Sequence, residues 1–382
     1  MELIFGIIVG LLILVLLVVV HELGHAIVAR RNGVVVEEFG VGFPPKAWGK
    51  KLENGILFTV NWLPLGGFVK LKGEHDAANK KGDYGAASYW QKTKILLAGV
   101  MINWLVAAGI LTILAWVGLP KILPNQFTVP SDSIVTRQPV EVTVVSKDSP
   151  ASQAGLKAGD QILRFAGESV PSSEILTVKT KEKKGQEVEI IYSRSGVEYS
   201  THVALRDENQ NGQGFLGVGS GQRELLRSSW SAPIVGVMTT AQFTVVTLQG
   251  LGDLVANVAK GVVLQFSPNE QTRTEAKKDL DTATNSVAGP IGILGVIFPA
   301  AGQAGPIQLA FLTAIISLTL AVMNVLPIPA LDGGRWFVMT LFRLIKKPLT
   351  KEREEKIQTI GFMILMGLVV IVTVADVSKL FK

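Results

Sequence analysis

The sequence contains no cysteine. Disulfides, thiolate metal sites and cysteine nucleophiles are therefore excluded. Histidine is scarce: the four residues His21, His25, His75 and His202 must carry any imidazole chemistry. Charge is sparse too, with Asp, Glu, Lys and Arg making up 18% of the chain, against about 25% in typical soluble domains. Hydrophobic types reach 48% and the mean hydropathy is +0.38, which argues against a wholly soluble enzyme. The net charge of +6 gives no reason to invoke nucleic acid, because membrane proteins concentrate Lys and Arg in their cytoplasmic loops.

What the chain has instead is long uncharged runs, at Leu3–Val20, Ile95–Pro120, Ile307–Leu331 and Ile360–Ala375. Each is near or above the roughly 18 residues at which an apolar run reads as a membrane span. The first lacks a basic flank and a small-x-small cleavage site, so it reads as a retained span and not a secretory signal. Spans are thus expected over 1–29, 95–120, 307–331 and 357–376. Residues 30–94 carry eleven Lys and Arg and residues 332–356 carry seven, which makes both loops cytoplasmic and both termini extracytoplasmic.

The first loop holds short β-prone stretches at 39–41, 47–52, 56–62 and 68–71. Asn54-Gly55 between the second and third is a hairpin turn signal, so a small sheet against or in the membrane is expected. Residues 138–206 alternate and turn like a compact extracytoplasmic domain. From 224 to 264 the pattern is helical. Ser231–Leu251 is uncharged and leaves a fifth span open, but its many Thr, Ser, Gln and Gly favour an amphipathic helix on the outer membrane surface. Residues 265–286 read as a polar linker.

The chemistry is concentrated in His21-Glu22-Leu23-Gly24-His25. Positions i and i+4 of a helix share one face about 6 Å apart along the axis, so two imidazoles can converge on one metal, with Glu22 placed to take a proton from a water there. Ionisable residues after a long apolar run are costly and are functional by default. A catalytic zinc usually takes a third protein ligand. His75 and His202 lie in the cytoplasmic loop and the outer domain, away from the end of the first span. Asp332 closes Asn324-Val325-Leu326-Pro327-Ile328-Pro329-Ala330-Leu331-Asp332-Gly333-Gly334 at the cytoplasmic end of the third span. The two prolines break that helix, and the two glycines are expected to let the backbone turn tightly.

These motifs resemble the site-2 protease family of intramembrane zinc metalloproteases, of the bacterial regulator of sigma-E protease type. HELGH on the first span, GGFVK (Gly66–Lys70), GVMIN (Gly99–Asn103), GPIGI (Gly289–Ile293) and NVLPIPALDGG occur in the family's order along essentially the whole chain. Ser149–Leu163 is similar to the core of a PDZ domain. GVMIN lacks the Gly-Pro of many relatives, and there is one PDZ-like unit where some have two. The resemblance implies a polytopic α-helical membrane protein of about four transmembrane helices. It adds a membrane-associated β-hairpin and an extracytoplasmic PDZ-like α+β domain, in the bacterial cytoplasmic membrane. It implies Zn2+ on His21, His25 and Asp332, with Glu22 as base. Substrate would be gripped by Asn103, Asn324 and the strand Gly66, Gly67, Phe68. The substrate class would be single-pass transmembrane proteins, an anti-sigma factor or a remnant signal peptide, already cut by a site-1 protease. The PDZ-like groove either takes the new C-terminus or filters by size. The competing reading is a non-catalytic PDZ-bearing scaffold with a structural metal, but a dead relative should have lost Glu22 or Asp332, and both are present.

Overall fold

The computed structural model describes residues 2–194, 196–209, 214–286 and 288–380. The chain divides into two compact units, Met1–Leu114 with Ala232–Lys382, and Ala115–Ser231. Helix α1 (Glu2–Arg31) opens the first. Its uncharged Leu3–Val20 must be helical in lipid, where only an internal ladder satisfies every backbone N–H and C=O. Its 30 residues, at about 1.5 Å each, exceed a hydrocarbon core of about 30 Å. Strands β1 (Val36–Lys51) and β2 (Leu57–Leu71) follow and pair antiparallel. All four short stretches expected here lie inside this one bent ribbon, in which Phe39 pairs with both Val69 and Phe58. The turn is the one the sequence signals: Gly55 takes φ +87°, and Ile56 N donates to Asn54 Oδ1 at 3.1 Å. Phe39, Ile56 and Leu71 bury against Ala29 of α1 and Ile95 of α2 (Tyr89–Val117). The ribbon is thereby fixed against the histidine end of α1.

The second unit carries two sheets. One joins β3 (Leu119–Pro120), β4 (Ile134–Arg137) and a late strand over 224–227. The other is built on β5 (Val140–Val145), the short helix α3 (Pro150–Gln153), β6 (Gln161–Phe165), β7 (Glu168–Ser169), α4 (Ser173–Glu182), β8 (Glu187–Arg194) and β9 (Val197–Ala204). It is completed by β10 (Val218–Gly221), in the order β10-β5-β6-β8-β9 with β7 on β6. Its core is Val140, Val142, Ile162, Phe165, Ile190 and Val203, with Leu176 of α4 above it. Asp160, 1% exposed, accepts from Arg194 Nε at 2.7 Å. Two expectations are corrected. The sheet does not end at 206, because β10 pairs with β5. Residues 224–227 are not helical either: they form β11 (Glu224–Arg227), hydrogen-bonded to β3 and β4.

The first unit resumes with α5 (Ala232–Leu264), one of five helices among the described residues that are long and apolar enough to cross a membrane, beside α1, α2 and the later helices Pro306–Val325 and Lys351–Ser378. Whatever its depth in a membrane, α5 is packed on its neighbours. Gly236 meets Thr112 of α2 so closely that an added Cβ would lie 2.6 Å from the Thr112 nitrogen. Trp104 Nε1 donates to Thr244 Oγ1 at 3.1 Å, and Phe243 meets Phe311 edge to face. The polar stretch 265–286 is not a bare linker but contains α6 (Glu270–Ser286), which doubles back so that Ala276 and Leu280 meet Gly261. A broken apolar helix follows: α7 (Pro290–Gly292), a π turn over Ile293–Ile297, and α8 (Phe298–Ala304). Phe298 and Pro299 pack on Gly10 and Gly6, at the end of α1 away from the histidines.

From there α9 (Pro306–Val325) runs back and stops short of the expected 331. Leu326 is extended, as a residue one step before Pro327 tends to be, and the chain stays irregular until α10 (Asp332–Leu344). Gly333 and Gly334 are therefore not a turn after the aspartate; they form the first helical turn. What they supply is the missing Cβ, since one on Gly333 would lie 2.7 Å from Leu326 O, and one on Gly334 2.7 Å from Pro329 N. The segment 332–356 is mostly this helix, and α11 (Lys351–Leu380) ends the chain.

Candidate metal and catalytic site

His21 and His25 are 6% and 8% exposed and meet edge to face with ring centroids 4.8 Å apart. Their Nε2 atoms are 3.2 Å apart. Asp332 Oδ2 lies 3.1 Å from His21 Nε2 and 3.2 Å from His25 Nε2. Zinc bonds of about 2.0–2.1 Å in a tetrahedron put ligand atoms about 3.3–3.4 Å apart. The three lone-pair atoms are therefore spaced almost as one zinc would space them. Two imidazole nitrogens and a carboxylate oxygen are also the donor set of an open, catalytic site. Among the described residues these form the one such cluster.

The surroundings aim the ligands. His25 Nδ1 bonds Ile95 O at 2.7 Å, which commits the Nδ1 proton to that carbonyl and leaves Nε2 free to ligate. Gly99 of α2 lies directly under both rings, where a Cβ would come within 2.6 Å of His21 Nε2. Glu22 lines a cavity of about 100 Å³ with His25 and Asp332, room for roughly three waters at about 30 Å³ each. Gly67 of β2 faces Glu22, with 3.5 Å between an added Cβ and Glu22 Cγ. Gly66 and Phe68 flank it on the same strand, Gly66 at φ +89°.

Not every expected residue joins this group. Asn103 is 0% exposed and faces His21 Nδ1 through Nδ2 at 3.4 Å. Asn324 is half-buried in the last turn of α9. His75 lines a separate, larger cavity of about 780 Å³ that also reaches Asp332, and His202 is on β9 of the other unit.

Nothing in the local sequence singles out Arg335. In the fold it is the latch of α10. Its guanidinium donates to Glu74 Oε1 at 2.9 Å, to Glu74 O at 2.7 Å and to Glu354 Oε1 at 3.1 Å. It also lies 4.8 Å from the centre of the Tyr84 ring. Burial alone would lower its pKa, but Tyr84, Glu74 and Glu354 raise it above the ordinary arginine value. One side chain thus ties the Asp332 helix to the segment after β2 and to α11. Glu74 Oε2 in turn accepts from Leu71 N at 3.1 Å, and Glu354 Oε2 from Asp76 N at 2.7 Å. The partners lie 261 and 19 residues away in sequence, so no local pattern announces them.

Residues 9–368 match the model of peptidase family M50. A Clostridium perfringens protein whose name carries the words zinc metalloprotease is 31% identical over 361 residues, 94% of this chain and 95% of its own. The zinc metalloprotease RasP of Bacillus licheniformis is 26% identical over 448 residues, covering 96% and 97% of the two chains. The regulator of sigma-W protease RasP of Bacillus subtilis is 26% identical over 450 residues and 96% of each chain. Among solved structures, the PDZ domain of an SdrC-like protein from Listeria monocytogenes is 28% identical. It covers 22% of this chain and 86% of that one at a TM-score of 0.20.

Proposed function

The chain belongs to peptidase family M50, and from that premise we propose that it cuts single-pass transmembrane proteins within the bacterial cytoplasmic membrane. It is a zinc metallopeptidase and a polytopic membrane protein. The observation that carries the proposal is the convergence of His21, His25 and Asp332 to 3.1–3.2 Å, with Glu22 beside them, on and against α1, a helix apolar enough to lie in lipid.

In this reading His21, His25 and Asp332 hold the zinc. Bound there, zinc polarises the scissile carbonyl and lowers the pKa of water. Glu22 takes the proton of the attacking water and passes it to the leaving amide nitrogen. A peptide bond inside an intact transmembrane helix is shielded by its own ladder, so the substrate must open locally. The strand Gly66–Phe68 offers the opened segment a sheet edge beside Glu22, and Asn324 offers an amide at the end of α9. Gly67, with no side chain, lets that segment come close to the base.

The topology in this reading keeps four spans, with both termini and the PDZ-like unit outside. Asp332 has to reach the cytoplasmic end of α1, so α9 must enter from the outer side. The packing of Phe298 and Pro299, just before α9, on Gly10 and Gly6 near the start of α1 supports this. The eleven and seven basic residues of 30–94 and 332–356 favour the same orientation. The Bacillus subtilis relative is named a regulator of sigma-W protease; in this reading an anti-sigma factor, trimmed first by a site-1 protease, is one candidate substrate and a remnant signal peptide is another.

The test is co-expression with candidate single-span substrates. The native chain is expected to release a fragment cut within the span. Glu22→Gln keeps shape and zinc ligands but accepts no proton, so turnover falls about 10²–10⁴-fold with zinc retained. Undiminished cleavage by Glu22→Gln would overturn the assignment.

A further inference from the structure

Asn103 has an amide whose two ends are treated differently. Nδ2 faces His21 Nδ1 at 3.4 Å, while Oδ1 is buried with no hydrogen-bond partner among the described residues. The side chain is 0% exposed, so it cannot reach out to a substrate from where it stands. Its backbone is pinned as well: Ser317 Oγ of α9 donates to Asn103 O at 2.8 Å. The residue is thus held between α2, α1 and α9, and its one polar neighbour on the site side is an imidazole.

That imidazole has an obligation. His21 Nε2 is the atom that points at His25 and Asp332. A histidine that offers the Nε2 lone pair to a metal carries its proton on Nδ1, and a buried N–H needs an acceptor. His25 meets the same need with the Ile95 carbonyl. For His21 the group in reach is the Asn103 amide. A half turn about its Cβ–Cγ bond exchanges Oδ1 and Nδ2 within nearly the same space. It leaves the number of unpaired amide ends unchanged and turns the contact with His21 from donor to acceptor.

We propose that Asn103 is a positioning residue for the metal centre: its Oδ1 accepts the Nδ1–H of His21 and so fixes the tautomer that presents Nε2 to zinc. This rests on the zinc-site reading above. It assigns Asn103 to the ligand shell and leaves the opened substrate to Asn324 and the β2 edge.

The test compares purified native protein with Asn103→Asp and Asn103→Leu, titrating zinc against a competing chelator. Unfolding in excess chelator serves as the folding control. Loss of an outer hydrogen-bond partner typically costs about 10–100-fold in metal affinity. Asn103→Leu, similar in size and without an acceptor, is expected to weaken zinc by that factor. Asn103→Asp keeps the acceptor and is expected to bind within about threefold of native or tighter, with an unchanged visible spectrum on cobalt substitution. In a His21→Ala background the Leu substitution should cost nothing further.

Native affinity in Asn103→Leu would reduce Asn103 to packing or substrate contact and overturn the proposal. Equal losses in the Asp and Leu variants would mean that a donor is required, and would overturn it too. If the native chain itself binds no zinc, the metal-site reading fails first and this proposal falls with it.

Discussion

Gly99 offers the most direct test of how tightly the metal centre is built. Gly99→Ala adds one methyl group on α2, under both imidazoles. The added Cβ would sit 2.6 Å from His21 Nε2 and closer still to His25 Nε2, where ordinary contact begins near 3.4 Å, so rings or helices must part by about 1 Å. A functional zinc site tolerates about 0.2 Å in its bond lengths. The rings can relieve the clash by swinging off the metal axis, so the strain falls on zinc binding more than on folding. Overpacking of this kind costs about 1–3 kcal/mol, which at 1.4 kcal/mol per factor of ten is roughly 5- to 140-fold in affinity. The control is Gly109→Ala on the same helix, where nothing lies within 4 Å of the new methyl. Chelator competition on both purified variants, with cleavage of a single-span substrate alongside, gives the answer. Zinc affinity in Gly99→Ala within twofold of native would mean that the helices yield freely there, and the close-packed account of the site would be wrong.

Three further outcomes are expected. His21→Ala, His25→Ala and Asp332→Asn should each lower bound zinc in elemental analysis, whereas His75→Ala and His202→Ala should not; a zinc-replete, active Asp332→Asn would send the search for a third ligand elsewhere. Arg335→Met should destabilise the fold by about 3–5 kcal/mol, because it leaves Glu74 and the buried Glu354 without their partner, and Arg335→Lys should not restore it, since an ammonium cannot reach both carboxylates as a fork does. A urea midpoint for Arg335→Met equal to the native one would refute the latch. Hydrogen bonds from Ser229 and Ser231 hold the Asp132 carboxyl down to about 2. Its stabilisation is present above the ordinary carboxylate range and is lost as pH falls through about 2. The difference in unfolding temperature between native and Asp132→Asn should therefore be level above about pH 4 and shrink towards pH 2, and a difference independent of pH down to that point would contradict it.

The clustering of His21, His25 and Asp332 was largely legible in the sequence. His21 and His25 are four residues apart on a helix that an apolar run already announces, and Asp332 follows a proline-broken run of the right length to end at the same depth. The parts that were not legible depend on neighbours from other elements. Gly333 and Gly334 look like a turn in one dimension; only the return of the chain from Val325 to Ile328 shows that the space belongs to another stretch of backbone. The burial of Asn103 and its distance to His21 likewise come only from the fold.

The polar residues of α5 are legible only in part for a different reason. Thr, Ser and Gln within it were counted as groups seeking water, which favoured a helix on the membrane surface. In the fold Thr240 Oγ1 donates to Gly236 O at 2.7 Å, and Thr244 Oγ1 to Thr240 O at 2.8 Å. A hydroxyl bonded to the carbonyl one turn back has its donor satisfied inside its own helix, and presents a methyl group and a small profile to its surroundings. Thr244 uses its remaining lone pair to accept from Trp104 of α2. Such residues count as polar on a hydropathy scale and behave as helix-packing residues in lipid, where small side chains let backbones approach. Gly236 against Thr112 is that close approach. The composition that argued for a water-facing helix is therefore the composition a helix needs in order to lie tightly against α2, the helix that also carries Gly99 and Asn103 to the metal site.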